Sequence, residues 1–436
     1  MGPTTPRRLS ARSRSSPTAA STRSGRSRNS RRVPTRALYA LERGTMRSTF
    51  NRPARRLAGV SVALAVIAAG AACSTESGEQ TIGSGGGDEI AQNAAEALDS
   101  NFYGQGSYTE PPAEGPEAQR GARIAVVNSG VQSPTGTKQV EAAREVAGLL
   151  GWDLSVYDGK YEPAEYQEGI RQAISQKADV IWLYSIDCPL AETALAEAKR
   201  AGIPVVSQEA ADCTDVDPEA ESYFADTLAF SQGTFIDWAR AMGESQATWL
   251  LAQLGEDADV IEVSVPELVV TNAIHEGFTA AMEEQCPACK VTEVKAQIAD
   301  FGPALQEKIE TALLRNPNAN GMALSYDDLM TTGGSAAVMA SGRNDSLAVV
   351  AGSGFPANVK LIRDGQGQDA GFAYDMGYET WAAADMINRL LAGEEQGESG
   401  VGIAVFDADN GLPPAGKAWS VDIEYKPVYK AMWGVS

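Results

Sequence analysis

Residues 123–130 read RIAVVNSG, an unbroken apolar run that ends in turn residues. A strand covered on both faces has this pattern, whereas a strand with one wet face alternates. An amphipathic stretch over 136–150 follows, then a second strand, WDLSVYD, at 152–158. Helical spacing over 164–176, the strand ADVIWLYS at 178–185, a helix over 191–202 ended by Gly202 and the strand IPVVSQ at 203–208 continue the alternation. This β-α-β-α-β-α-β order predicts a doubly wound parallel sheet with right-handed crossovers. After Phe224-Ala225-Asp226 the rhythm restarts, with helices over 231–254, 271–285, 303–316 and 328–341. They alternate with the strands DVIEVSV, KVTEVKA, GMALSY and LAVVAGSG. Two α/β halves in tandem predict two Rossmann-like lobes whose strand ends face a shared crevice.

The flanking sequence is of another kind. Residues 1–56 carry 15 Lys and Arg and one acid, Glu42, whereas residues 57–436 carry 21 basic and 56 acidic side chains. So acidic a folded part argues against nucleic acid as a partner, because phosphate binding needs a basic surface. The Arg/Ser-rich segment 1–45 lacks apolar periodicity and builds no core; it is disordered, or upstream sequence translated by mistake. Met46 opens what reads as an export signal: Arg47, Arg52, Arg55 and Arg56, then an apolar run over 57–69, then Gly70-Ala71-Ala72-Cys73. Small residues before a Cys, followed by Ser-Thr-Glu-Ser-Gly, resemble a bacterial lipobox, although Gly70 stands where Leu is usual. The resemblance implies a lipoprotein signal peptide over 46–73, lipidation of Cys73 and anchoring to the outer face of the cell membrane. The alternative is an ordinary signal with an incidental Cys. Residues 74–121, rich in Gly, Ser, Glu and Pro, read as a flexible linker with one short helical pattern at 88–98.

Several segments of the folded part together resemble a known family. These are IAVV at 124–127, AGIPVV at 201–206, HEGFTAAM at 275–282, ADFGPA at 299–304, NPNANGMALSYDDL at 316–329, the long stretch 361–394, and YKPVYKAMWGV at 425–435. Residues 122–436 are similar to type I periplasmic sugar-binding proteins, near the ribose-binding subunits of ABC importers, with an ending seen in many actinobacterial members. The resemblance implies two lobes joined by a three-segment hinge, crossed near 225–226, 374–375 and 401–406. The N-terminal lobe would be 122–225 plus 375–402, and the C-terminal lobe 226–374 plus 403–436. A transcriptional repressor core shares this fold, but an export signal rather than a helix-turn-helix pattern precedes it here.

The family's pocket residues sit at strand ends and carry over one by one. Ser133-Pro134-Thr135-Gly136 occupies the loop that usually offers two aromatic rings, so that platform is absent. Glu209-Ala210 stands at the usual Asp-Arg pair, Ile274 at an Arg, Tyr326 at an Asn, Ser353 at an Asp and Tyr374 at the hinge Gln, while Phe301 keeps the aromatic. Asp327, Asp375 and Asp187 lie beside these positions. The resemblance therefore implies ligand binding by Ser133, Asp187, Glu209, Phe301, Tyr326, Asp327, Ser353, Tyr374 and Asp375. Loss of two guanidinium forks and gain of Tyr rings point away from a plain pentose and from an anion. A different sugar or polyol comes first and a cationic or amine-bearing solute second. Bland readings stay open: Glu209 and Asp187 as loop carboxylates, Tyr326 and Tyr374 as packing rings, Ser133 and Ser353 as turn residues.

Four further cysteines in an exported chain predict disulfides. Cys286-Pro-Ala-Cys289 reads as a structural bridge, with a redox motif as the alternative. Cys188 and Cys213 follow adjacent strands, and a bridge there would stiffen the cleft rim; two free buried thiols are the alternative. A zinc site is disfavoured because only one pair has ligand-like spacing. His275, the one histidine, reads as a packing residue that could approach the cleft. With a single His no Ser/His/Asp or Cys/His system assembles, and no phosphate-cradling Gly-x-x-x-x-Gly-Lys loop exists, so no enzyme and no cofactor is expected. The expected function is that of an ABC importer's substrate-binding component, a monomer delivering a sugar-like solute to a membrane permease. A sensory protein presenting its ligand to a receptor is the alternative.

Overall fold

The computed structural model describes residues 86–436. The expected signal peptide at 46–73, the lipidation site Cys73 and the segment 1–45 lie outside the described residues. The described chain opens with α1 (Gly86–Asn101). It then alternates through β1 (Arg123–Asn128), α2 (Pro134–Leu150), β2 (Asp153–Asp158), α3 (Pro163–Ser175), β3 (Val180–Tyr184), α4 (Cys188–Ala201), β4 (Val205–Gln208), the short α5 (Cys213–Val216) and β5 (Asp226–Thr227). These strands form one parallel sheet in the order β2-β1-β3-β4-β5. β3 is buried at every position, as its unbroken apolar sequence predicts. Gly202 ends α4 in the left-handed region, at φ 71°, where a Cβ would be strained.

The second lobe follows with α6 (Phe235–Leu254), β6 (Asp259–Ser264), α7 (Val269–Gln285), β7 (Lys290–Lys295), α8 (Pro303–Arg315), β8 (Gly321–Leu324), α9 (Asp327–Leu329), α10 (Ser335–Ser341), β9 (Ala348–Ser353), α11 (Pro356–Asp364) and β10 (Ala370–Ala373). The chain then runs through α12 (Met376–Ala392), β11 (Ala404–Asp407) and α13 (Tyr425–Trp433). The second sheet is ordered β11-β10-β9-β8-β6-β7, parallel except for β11 against β10. Helices α6 and α7 cross closely because Gly243 lies on the Ile274 carbonyl and Gly277 on the Arg240 carbonyl. A Cβ at either site would come within 1.9 Å of that oxygen. Each lobe has its own apolar core on one sheet face, and a third core runs from α2 through the hinge to α6 and α7.

Two expectations about organisation change. The C-terminal segment, assigned by resemblance to the second lobe, returns to the first: α13 packs on α12. Tyr425 stacks on Tyr378 at 4.6 Å and Trp433 on Trp381 at 5.6 Å, and Lys426 pairs with Glu145 of α2. Burying this aromatic face requires the α12 surface.

Residues 86–121, read as part of a flexible linker, are an ordered strap. Ala94 and Leu98 of α1 are buried, and α1 lies against α6. Residues 102–109 then lace the hinge: Val405 N–H donates to Phe102 O, Ser107 N–H to Ile403 O and Thr109 N–H to Gly400 O. Further on, the Asn388 amide donates to the Pro116 carbonyl and the Arg389 guanidinium to the Glu114 carbonyl. The Gly- and Pro-rich composition suits a spacer, but Leu98, Phe102 and Tyr108 supply apolar surface that the lobes bury. Among the described residues no helix is long and apolar enough to cross a membrane.

Candidate functional site

Strands β3 and β4 end side by side, and each is followed by a non-glycine residue in the left-handed region: Ser185 at φ 50° and Glu209 at φ 54°. Such backbone is costly and is held only where the surroundings fix it. Here the result is a pair of side chains aimed together, with Ser185 Oγ donating to Glu209 Oε2 at 3.1 Å. Glu209 Oε1 has no partner. From the crossing after β10, Tyr374 lays its ring edge-on to Trp238 at 5.2 Å, and its hydroxyl reaches Ser353 at the end of β9. Burial, then the nearby Glu209 carboxyl, hold the Tyr374 phenol well above its ordinary pKa. Glu209, Ser353 and Tyr374 therefore meet at the hinge end of the cleft, from both lobes.

Phe301 and Tyr326 form a second group, their ring centroids 6.2 Å apart on the second lobe. Tyr161 of the first lobe comes within electrostatic reach of Tyr326 and of Asp328, so the two lobes face each other here. Its ring sits over Gly130, where a Cβ would come within 2.4 Å of it, and beside Ser133. The loop after β1 thus lacks its own aromatic platform, as its sequence indicates, yet a ring from the loop after β2 lies over it. Ser133 itself caps α2: Gly136 N–H donates to its hydroxyl at 2.9 Å.

Three of the expected ligand carboxylates are turned to other work. Asp375 caps α12, accepting from Tyr378 N–H at 3.0 Å and from Ser420 Oγ at 2.6 Å, while its own N–H donates to the Tyr108 hydroxyl. Asp327 accepts from Phe355 N–H at 3.0 Å and holds the loop after β9; its neighbour Asp328 is the carboxyl in reach of Tyr161. Asp187 accepts from Ala211 N–H at 3.0 Å, and the Val269 N–H that opens α7 points at it from the other lobe. Burial raises its pKa to about 6. A backbone N–H is the partner in all three cases, which residue type alone does not reveal.

Sequence reading missed Glu379, which lies in the first turn of α12 and is wholly buried against Glu209, neither carboxylate oxygen accepting a well-formed hydrogen bond. Burial first, then the facing Glu209 carboxyl, pushes its pKa far up. Gln208 and Tyr184, at the ends of β4 and β3, complete this wall and were missed too. Their one signal was position: each stands within a residue of a strand end that the alternation had already located.

The remaining features settle elsewhere. Cys188 is bridged to Cys213 and Cys286 to Cys289, both as expected. The first bridge fastens the start of α4 to the segment after Glu209, at the rim. His275, on α7, turns to β6, with Nδ1 2.6 Å from the buried Glu262, whose pKa burial raises to about 7. A concavity of about 520 Å³, lined by Glu293, Lys295, Lys308 and Arg315, lies at the β7 edge of the second lobe, away from the facing side chains.

Comparison with known proteins agrees with this fold. A family model described as a periplasmic binding protein domain matches residues 124–395. The ribose import binding protein of Escherichia coli strain K12 is 24% identical over 250 residues, covering 56% of this chain and 76% of that protein. The D-apiose import binding protein of Actinobacillus succinogenes is 25% identical over 228 residues, covering 52% and 68%. Among solved structures, an ABC transporter solute-binding protein of Mycobacterium smegmatis with bound glycerol has a TM-score of 0.58 at 21% identity, over 69% of this chain and all of that one. One from Actinobacillus succinogenes with bound D-allose has a TM-score of 0.57 at 17% identity, over 66% and 98%. Two parallel α/β lobes, strand ends meeting at one cleft and a family match across both lobes lead to one conclusion: the chain belongs to the periplasmic binding protein family.

Proposed function

We propose that this chain is the extracytoplasmic substrate-binding component of an ABC importer, holding a small polar solute, a sugar or polyol, between its lobes by hinge closure. The observation that carries the reading is the meeting of Glu209 from the first lobe, Ser353 from the second and Tyr374 from the crossing between them. A solute bridging these groups makes contacts that only the closed arrangement offers, which is how ligand binding drives closure. Phe301, Tyr326 and Tyr161 supply ring faces for the apolar side of a sugar, and Asp328 accepts from hydroxyls. The closed form then docks on a permease, and a lipid on Cys73 keeps the protein at the membrane. Nothing in the wall is an activated nucleophile, so the chemistry is capture and release.

A thermal-shift screen over sugars, polyols, amines and nucleosides tests this, because a solute that binds the folded state raises its melting temperature. The expected result is a hit whose affinity falls at least about tenfold in both Glu209→Ala and Tyr374→Ala. Unchanged affinity in both variants would remove these residues from the site. Mass measurement of the exported chain's N-terminus tests the anchor: a diacylated Cys73 is expected, and an unmodified terminus elsewhere rejects it.

A further inference from the structure

The hinge wall carries more acceptors than its own donors serve. Glu379 is fully buried and neither of its carboxylate oxygens, nor Glu209 Oε1 beside it, accepts a well-formed hydrogen bond from the chain; a proton shared between the two acids is their one mutual contact. Gln208, also fully buried, gives its amide N–H to Thr380 Oγ1 at 3.3 Å and leaves Oε1 without a partner. The groups that face this pair from every packed element are Tyr184 and Ser185 at the end of β3, Gln208 of β4, Tyr374 and Asp375 at the crossing, and Tyr108 of the strap. Each is a phenol, a hydroxyl, an amide or another acid. A buried carboxyl pair so surrounded is costly, and folds keep such arrangements where something outside the chain completes them.

The missing complement has a definite chemistry. Apart from a proton that the two acids can share, the free atoms accept, so the ligand end that meets them is rich in donors. A neutral hydroxyl brings one hydrogen and leaves the negative charge uncompensated. An ammonium brings up to three hydrogens together with the opposite charge, and its hydrogen bonds to carboxylate are about twice as strong as neutral ones. The Tyr374 and Tyr184 rings beside the pair favour a cation as well. Farther out, Phe301, Tyr326 and Tyr161 suit a sugar ring or a polyol chain.

We propose that Glu209 and Glu379, with the Gln208 carbonyl, form an ammonium subsite, and that the solute is an amine-bearing sugar or polyol held amine-first. This rests on the reading of the cleft as the solute site. Burial pushes both acids toward the protonated form, and the facing Glu209 carboxyl pushes Glu379 further. An ammonium favours their charged form, so its binding releases proton to the solvent.

The test is titration calorimetry of the purified chain with matched probes: D-glucosamine against D-glucose, D-galactosamine against D-galactose, and glucamine against sorbitol. In at least one pair the amine is expected to bind about tenfold or more tightly, with heat that depends on the buffer's ionisation enthalpy because a proton leaves. Glu379→Gln and Glu209→Gln are each expected to abolish that preference and the proton release. Glu379→Gln should melt no lower than the parent without ligand, which separates a binding role from a structural one. If neutral members bind as well as amines, or Glu379→Gln keeps the preference, the subsite is overturned while the cleft reading stands. If no amine binds, the subsite is likewise overturned; if no sugar, polyol or nucleoside stabilises the chain either, the cleft reading falls with it.

Discussion

Two buried carboxyls on α12 are treated in opposite ways. Asp385, on the face toward the strap and α13, accepts from Arg389 Nε at 2.7 Å and from Trp433 Nε1 at 2.8 Å, and Arg389 in turn donates to the Glu114 carbonyl. Glu379, on the cleft face of the same helix, faces a second acid, and no cation or hydroxyl of the chain answers its carboxylate oxygens. Both are out of water, so burial alone does not separate them. What separates them is closure of the network. The rear of the hinge satisfies its charges internally and is built for stability, whereas the front leaves charge to be answered from outside and is built for binding.

Removing the strap attacks the satisfied side most severely. A chain beginning at residue 122 loses the burial of Leu98, Phe102 and Tyr108. A drop on the order of 5 kcal/mol in unfolding free energy is expected by denaturant titration, after allowance for the ordering entropy of the strap. Next comes Asp385→Asn, which leaves the Arg389 guanidinium buried without its counter-charge. About 3 kcal/mol should be lost, seen as a fall in denaturation midpoint with the slope unchanged.

The opposite sign is expected on the other face. Glu379→Gln should leave the unliganded chain equally stable or about 1 kcal/mol more so at neutral pH. The pH profile sharpens this contrast. A carboxyl whose folded pKa is raised holds its proton longer when folded, so stability falls as pH climbs above the ordinary value near 4.5. Glu379 and Glu209 act in this direction, as do Asp187, near 6, and Glu262, near 7. Acids held low by partners, such as Asp300 beside Lys308, act below that window. The unliganded chain should therefore melt higher at pH 5 than at pH 7.5, and Glu379→Gln should reduce the difference. A profile rising from pH 5 to 7.5 would contradict it. The smallest effect belongs to Lys426→Ala: its ion pair with Glu145 ties α13 to α2 across half-exposed surface and should shift stability by less than about 0.5 kcal/mol.

The same contrast marks how far the sequence could be read. Strands of a two-sided parallel sheet announce themselves, because β1 and β3 need apolar residues on both faces and have little room for anything else. Glu209, Tyr374 and Phe301 stood out as candidates because they sit at the ends of such strands or in motifs of recognisable order. Asp375 and Asp327 show why residue type is ambiguous: a cap and a ligand contact use the same carboxylate, and only the direction of nearby N–H groups tells them apart. Glu379 was invisible because an acid in a helix's first turn is ordinarily a favourable partner of the helix dipole. Its significance comes from the topology that sets it against Glu209. The strap was hidden by composition, since Gly and Pro signal a spacer whether or not a surface waits to receive it.

That strap also bears on affinity. A solute that binds only the closed arrangement has its apparent affinity scaled by the fraction of molecules already closed. Residues 102–109 bond to the 400–405 crossing, while α1 rests on the second lobe and Arg389 of the first holds the Glu114 carbonyl. A brace joined to both sides of a pivot weights that equilibrium before any solute arrives, and each 1.4 kcal/mol of weighting changes apparent affinity about tenfold. Affinity in this protein thus has a handle at the back of the hinge, where substitutions in the strap move the dissociation constant while every atom that touches the solute stays the same.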